Sequence, residues 1–385
     1  MNILVIGNGF DLAHGLPTKY YDFIKFVKLL QRIDGKDDYQ RNRIISDVKS
    51  YTAENSAINT SILDKMLDKS IYENQYFKEL VNCIKDNGWI EYFKDKVEIQ
   101  STWVDFEMSI KELIRIFDAI KRNDEEELSL IDIEAVDIRN SMRNFIKEDR
   151  KVYSYTNPNL IDLKEIISSK FIDALESDLK KVIRALEVYI SLFIEEIECS
   201  SYKGKIENID LVISFNYSNT FEKLYGNCNI KYDYIHGKAN LECDINKNNM
   251  VLGIDEYLDD EIKNKNLEFI FFKKYFQRIF KRTGCNYKKI LESATAVNIY
   301  FYGHSLSRAD KDILQELIQC KKTRIKIYYH NDNSYRSQIT NLVDIIGQDS
   351  LIEKVYGKNP EIVFENIEGK KYIEITGHKK KSYSL

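Results

Sequence analysis

The sequence predicts an α/β protein: a Rossmann-like, doubly wound, mostly parallel sheet with a large helical insertion after its first strand. Three observations carry this expectation. Short, largely apolar runs stand at residues 3–6, 211–215, 296–302 and 325–329, the pattern of strands buried on both faces of a parallel sheet. The first and third of them run straight into glycine, at Gly7 and Gly303. Between the first and second runs lie about two hundred residues with helical rather than strand periodicity.

Each element follows from its own pattern. Residues 232–235 and 250–252 read as shorter strands, and 362–364 as an edge strand. Residues 20–33 read as a helix with Phe23, Phe26, Val27 and Leu30 on one face. The clearest long helix is 160–197, where Leu175, Leu179, Val182, Leu186, Tyr189 and Phe193 recur at three- and four-residue spacing. Residues 103–121 also read as helical, and 124–127 as a solvated acidic turn or helix face. Strands that follow one another normally connect quickly, so so long an insertion implies a second subdomain. The division expected is 1–20 plus 205–385 as a nucleotide-binding domain, with 21–204 as a helical insertion. The insertion would be a lid, a substrate gate or a surface for homo-oligomer formation. No internal repeat is visible.

Composition narrows the class. The chain has 385 residues, 43% of them hydrophobic, with 26 Tyr and 19 Phe; this argues against disorder and for a substantial core. Only 3 Pro and 15 Gly are present, so each glycine cluster carries weight. Lys and Arg number 57 against 61 Asp and Glu, a net charge of −4, so nucleic acid is not favoured as a partner. The six cysteines form no C-x-x-C pair, so the usual paired-ligand zinc pattern is absent; no metal is expected, and the scatter of the cysteines suits reduced thiols. The apolar start is far shorter than the ~20 residues of a membrane helix and has no basic leader. A cytoplasmic protein with no membrane association is expected.

Four strand ends carry the candidate chemistry, and a fifth follows the run at 325–329. Gly7-Asn8-Gly9-Phe10-Asp11, followed by Gly15-Leu16-Pro17, lets the chain turn sharply and bring backbone amides to a phosphate. The third glycine lies six residues after Gly9, unlike the dinucleotide fingerprint, and a ligand-free strand–helix turn is the plainer alternative. Asn216, in Ser214-Phe215-Asn216-Tyr217, stands at a carboxyl end where an amide could hold a water or a ribose hydroxyl; it could equally cap the next helix. His236-Gly237 offers a general base, since an imidazole titrates near working pH, or a structural turn histidine. Gly303-His304-Ser305-Leu306 offers a close backbone approach and a hydroxyl donor, with Asp310 as acceptor for a ribose hydroxyl. Asn331, after the next apolar run, could meet adenine or ribose. Within the insertion, Trp103, Asp105 and Glu107 form a compact W-x-D-x-E, most simply a buried Trp with two solvated acids.

Taken together, these motifs resemble a known family. GNGFDLAHGLPTKY at the start, the Trp103–Glu107 element, Phe215-Asn216-Tyr217, His236-Gly237 and Tyr302-Gly303-His304-Ser305-Leu306 resemble the AbiH family of bacterial phage abortive-infection proteins. The same residues are more distantly similar to the sirtuin-like NAD-binding fold. Gly7, Gly9, Gly15 and Pro17 fall at the offsets of the sirtuin G-A-G-x-S-x-x-x-G-I-P loop, with Asp11 at its Ser. Phe215 to Ser218 match its Q-N-I-D segment, His236-Gly237 its catalytic H-G, and Gly303 to Leu306 its G-T-S-L. Phe215 and Ser218 replace the Gln and Asp of that segment, and no four-cysteine module lies between His236 and Gly303. The resemblance therefore implies a phage-defence NAD hydrolase rather than a deacylase. NAD would be the substrate, held at Gly7, Asn8, Gly9, Asp11, Pro17, Gly303, Ser305, Asp310 and Asn331, and cleaved at the nicotinamide–ribose bond with Asn216 and His236 as catalytic residues. A phage-derived trigger or partner protein is expected. Two other readings stand beside it: a nucleotide-sensing or partner-binding defence module without turnover, and a metal-dependent nuclease or nucleotidase using Asp105 and Glu107.

Overall fold

The computed structural model describes residues 1–52, 58–100, 105–124, 126, 128, 144–145, 164–199, 205–258, 261–320, 323–369 and 374–376. Among the described residues eight strands are formed: β1 (Asn2–Ile6), β2 (Lys205–Glu207), β3 (Leu211–Ser214), β4 (Lys231–Tyr234), β5 (Val297–Tyr302), β6 (Thr323–Tyr329), β7 (Ile362–Asn366) and β8 (Glu374–Thr376). Six of them make one sheet in the order β4-β3-β1-β5-β6-β7, and every neighbouring pair in it is parallel. β2 and β8 pair separately.

Counting only the six, the spatial order is 3-2-1-4-5-6, the order of doubly wound dinucleotide-binding sheets. The apolar runs explain it. Along β1, Ile3 and Val5 join a core with Leu211, Ile213, Ile299, Phe301, Ile325 and Ile327. Leu4 and Ile6 join the opposite core with Val212, Tyr300, Tyr302 and Tyr328. Side chains alternate across a strand, so only an unbroken apolar run can supply both faces, and β1 sits in the middle. The edge strand expected at 362–364 is β7, at the margin of the sheet.

The chain divides into two compact units: Met1–Thr18, Ile194–Ala239 and Lys281–Leu385 in the first, Lys19–Phe193 and Asn240–Phe280 in the second. The first holds the sheet. Residues 240–280, grouped with the sheet in the sequence reading, cluster with the helices instead. Accordingly 250–252 is no strand: Met250, Val251 and Leu252 are buried as irregular chain, pinned by Gln277, whose Oε1 accepts from Leu252 N and whose Nε2 donates to Leu252 O. A buried apolar run does not reveal whether a strand or a side chain satisfies its backbone.

The second unit is helical. The long helix runs Ser169–Tyr189 and passes into a π-helical turn at Ile190–Ile194, shorter than the 160–197 expected, of which 160–163 lie outside the described residues. Its Arg184 is fully buried and bonded to Glu79 and Glu187, so the charge is paired on both sides. Trp89 donates to Leu175 O at 2.9 Å. Phe93 stacks on Phe106 at 3.9 Å, and Tyr20 on Phe106 at 4.3 Å. The helix Phe106–Arg122 is capped by Asp105, which accepts from Glu107 N and Met108 N. Among the described residues no helix is long and apolar enough to cross a membrane.

Candidate functional site

The four strand-end loops of the first unit converge at the carboxyl edge of the sheet, on either side of the strand-order reversal between β1 and β5. Open α/β sheets carry their ligands at such an edge.

The glycine loop is shaped by its neighbour. Gly9 N donates to Gly303 O at 2.8 Å, Phe10 N to Gly7 O at 2.8 Å, and Gly7 N to Tyr302 O at 3.3 Å. A Cβ on Gly7 would stand 2.8 Å from His304 Cα, and one on Gly9 2.8 Å from Gly303 Cα. Gly303 adopts φ +67, a conformation that favours glycine, and a Cβ there would collide with Phe10 N. The glycines thus let two backbone loops press together, and three amides expected at a phosphate are bonded within the protein. Asn8 is exposed, and its Oδ1 accepts from Thr18 Oγ1 at 2.5 Å. Pro17 is half-buried in the same turn.

After β3, Phe215 N donates to Ile6 O, so the loop leaves the sheet in register with β1. Asn216, 6% exposed, donates from Nδ2 to Gly7 O at 3.0 Å, while its backbone N donates to Ser214 Oγ. After β4, Gly237 takes φ +76 and turns the chain sharply just past His236. His236 is 4% exposed and its Nε2 lies 2.9 Å from Asp310 Oδ1. The Phe215 ring meets the imidazoles of both His236 and His304 edge-on, at 5.4 and 4.3 Å. His304 Nδ1 accepts from Leu306 N, which braces the turn that carries Asp310.

Asp310 therefore meets a histidine where a ribose was expected. An imidazole held through one nitrogen by a buried carboxylate is fixed in tautomer and orientation, and its protonated form is stabilised. Such a pair can take a proton from a water or hydroxyl. Asp11, one of the residues expected to hold NAD, points inward. It is 2% exposed and accepts from Ser218 Oγ at 2.6 Å. Burial pushes its carboxyl up to about 6, partly offset by Ser218, Thr220 and Asn216. Ser305 is exposed and its carbonyl accepts from Asn341. Asn331 caps the helix Asp332–Ile346, accepting from Ser334 N at 2.8 Å; it takes the capping role rather than joining the cluster.

Glu195 is the group that sequence reading missed. Its Oε1 accepts from Asn219 N at 3.0 Å, and burial pushes it up to about 7, with Asp11 adding to the rise and Lys238 and Lys223 opposing it. It belongs to no motif, and only its burial distinguishes it from the acids around it.

A model of the family AbiH, bacteriophage abortive infection, matches residues 3–329. The chain belongs to the AbiH family. The AbiH match runs from β1 to the end of β6 and so takes in every candidate residue except Asn331, and it assigns the chain to phage abortive infection. No curated protein and no solved structure matches the chain. In this AbiH protein the W-x-D-x-E element has structural partners: Asp105 is a helix cap, and Glu107 is ion-paired with buried Lys274 at 2.7 Å. Trp103 lies outside the described residues. Among the described residues no group of three or more His, Cys, Asp or Glu is placed to hold a metal ion.

Proposed function

We propose that the protein is an abortive-infection effector that hydrolyses NAD at the nicotinamide–ribose bond. The observation that carries this reading is the His236–Asp310 pair, 2.9 Å apart and buried beside Asn216 at the carboxyl edge of the sheet. Water attacks the ribose carbon as the bond to nicotinamide breaks. Nicotinamide departs neutral, and His236 takes the proton the water gives up. With Nδ2 committed to Gly7 O, Asn216 offers its oxygen to orient that water or a ribose hydroxyl. The pyrophosphate lies along exposed Asn8 and Ser305, because the amides of Gly7, Gly9 and Phe10 are already bonded.

The test is nicotinamide release from NAD by purified protein, alone and with lysate of phage-infected cells as a source of trigger. A general base contributes about 10²–10⁴-fold, so His236→Ala should lose at least about 10²-fold, and Asn216→Ala, which removes the amide that orients the water, should also lose activity. Intact NAD after treatment with the infected lysate would sink the hydrolase reading.

A second reading is a nucleotide-sensing defence module without turnover. Its support is the burial of both His236 and Asn216, at 4% and 6% exposure, which suits recognition as well as chemistry. In that case NAD raises the melting temperature and is recovered unchanged.

A further inference from the structure

The six-stranded sheet ends in β4 on one side and β7 on the other, and the two edges are finished differently. Residues 283–287 run along β4. There Thr283 Oγ1 donates to Tyr234 O at 3.0 Å and Tyr287 N to Asp233 Oδ2 at 2.7 Å. A Cβ on Gly284 would stand 2.5 Å from Ile235 O. β4 also carries the charged residues Lys231 and Asp233. Covering chain and charge are the usual protections of a sheet edge. β7, Ile-Val-Phe-Glu-Asn, has neither lysine nor proline. Among the described residues no strand pairs with its outer side.

Backbone parity defines what β7 leaves open. Ile325 N donates to Glu361 O at 2.7 Å, and Ile367 N to Tyr329 O at 2.8 Å. Along a parallel ladder the residues bonded to one neighbour alternate. Glu361, Val363, Glu365 and Ile367 therefore aim their backbone groups at β6, and Ile362, Phe364 and Asn366 aim theirs outward. The side chains of Ile362 and Phe364 lie on the core face of the sheet. Val363, on the opposite face, is 54% exposed.

We propose that β7 pairs antiparallel with β7 of a second copy of this chain, about a two-fold axis at Phe364. A two-fold contact presents the same surface twice, and this register is self-complementary. Ile362 meets Asn366 and Phe364 meets Phe364, so each outward-facing residue falls in a pair that exchanges both hydrogen bonds. The side chains agree with the backbone. Phe364, already edge-on to Tyr335 at 5.0 Å, gains an aromatic partner across the axis, a favourable cross-strand pair. On the other face Val363 meets Glu365 and Glu361 meets Ile367, so no like charges oppose each other. One strand pair is smaller than the interface of a stable dimer. The helix Gln348–Tyr356, which packs on β7, offers Ile352 and Tyr356, both exposed and one turn apart. Self-association then belongs to the sheet rather than to the helical insertion, and it does not depend on the hydrolase reading.

The experiment is sedimentation equilibrium on the full-length wild type, Val363→Glu and Val363→Lys, with hydrogen exchange at β7 read by mass spectrometry. The side chain at 363 is exposed, so neither variant opens the core. Within one copy residue 363 pairs with Lys326, so a glutamate there suits the monomer and a lysine does not. Across the axis the preference reverses, because residue 363 meets Glu365. The wild type should be a dimer whose β7 amides exchange slowly and speed up on dilution. Val363→Glu opposes like charges in two symmetric pairs and should weaken the dimer by about 10-fold. Val363→Lys should associate at least as tightly as wild type. Equal weakening by both variants overturns the register. A dimer whose β7 amides exchange as fast as in the monomer puts the contact elsewhere and overturns the proposal. A wild type monomeric throughout the micromolar range, including one whose β7 is protected only by a strand from another protein, overturns the second copy as occupant.

Discussion

At Asp310 a single carboxylate changes what a strand-end histidine can do. Unheld, an imidazole at a turn samples several orientations; held at 2.9 Å by a buried acid, it keeps one nitrogen turned away from that acid. Asp310→Asn should therefore reduce kcat for nicotinamide release by about 10²-fold or more, with KM nearly unchanged. Equal kcat in wild type and variant would remove Asp310 from the mechanism. Glu195 makes a separate prediction about stability. Its folded carboxyl, raised from 4.5 to about 7 by burial, holds a proton more tightly than the unfolded chain does. Its ionisation thus costs nothing below 4.5 and its full penalty above 7. Glu195→Gln keeps the acceptor for Asn219 N and removes the charge, so its Tm should exceed that of wild type at pH 8. The two should converge by pH 4.5 in thermal melts. At this scale the sequence disclosed which residues stand at strand ends but not what they touch. Asp310 and Asp11 were read only as residues that could hold NAD, because their partners, His236 and Ser218, lie 74 and 207 residues away along the chain.

Elements were legible where one physical cause sufficed. The runs at 3–6, 211–215, 296–302 and 325–329 became the four central strands because a strand buried on both faces needs apolar residues at successive positions. Met250–Leu252 had the same texture but sits in a helical environment, where Gln277 does the work of a neighbouring strand. The glycine loop was legible as a tight turn and not as what fills it: a second glycine loop. That contact can be measured. Gly347 also has positive φ, yet a Cβ there would meet nothing within 4 Å. Gly347→Ala should cost only the strain of its extended, positive-φ backbone (φ +83, ψ 153), about 1–3 kcal/mol. Gly303→Ala adds a collision with Phe10 N to the strain of its own positive φ, so its loss should be clearly larger. It should also disturb nicotinamide release, because His304 follows directly. Denaturant midpoints of the two variants decide the matter; equal losses would mean that the two loops can part freely.

Across the whole molecule, the sheet unit is assembled from three separate stretches of chain, and the smallest of them supplies the middle strand. Removing residues 1–18 deletes β1, which pairs with β3 on one side and β5 on the other. A chain of residues 19–385 should lose the cooperative unfolding transition of the sheet unit, read by circular dichroism; an intact transition would show that β3 and β5 can close without it. The same placement fixes an order in time. Val5 pairs with Ile213, so a growing polypeptide makes the middle strand 208 residues before its first neighbour. At about 5–20 residues per second that delay is roughly 10–40 s. For that interval four greasy side chains must be sheltered by something other than their final neighbours, so the yield of native protein should depend on chaperone supply and on the speed of the ribosome.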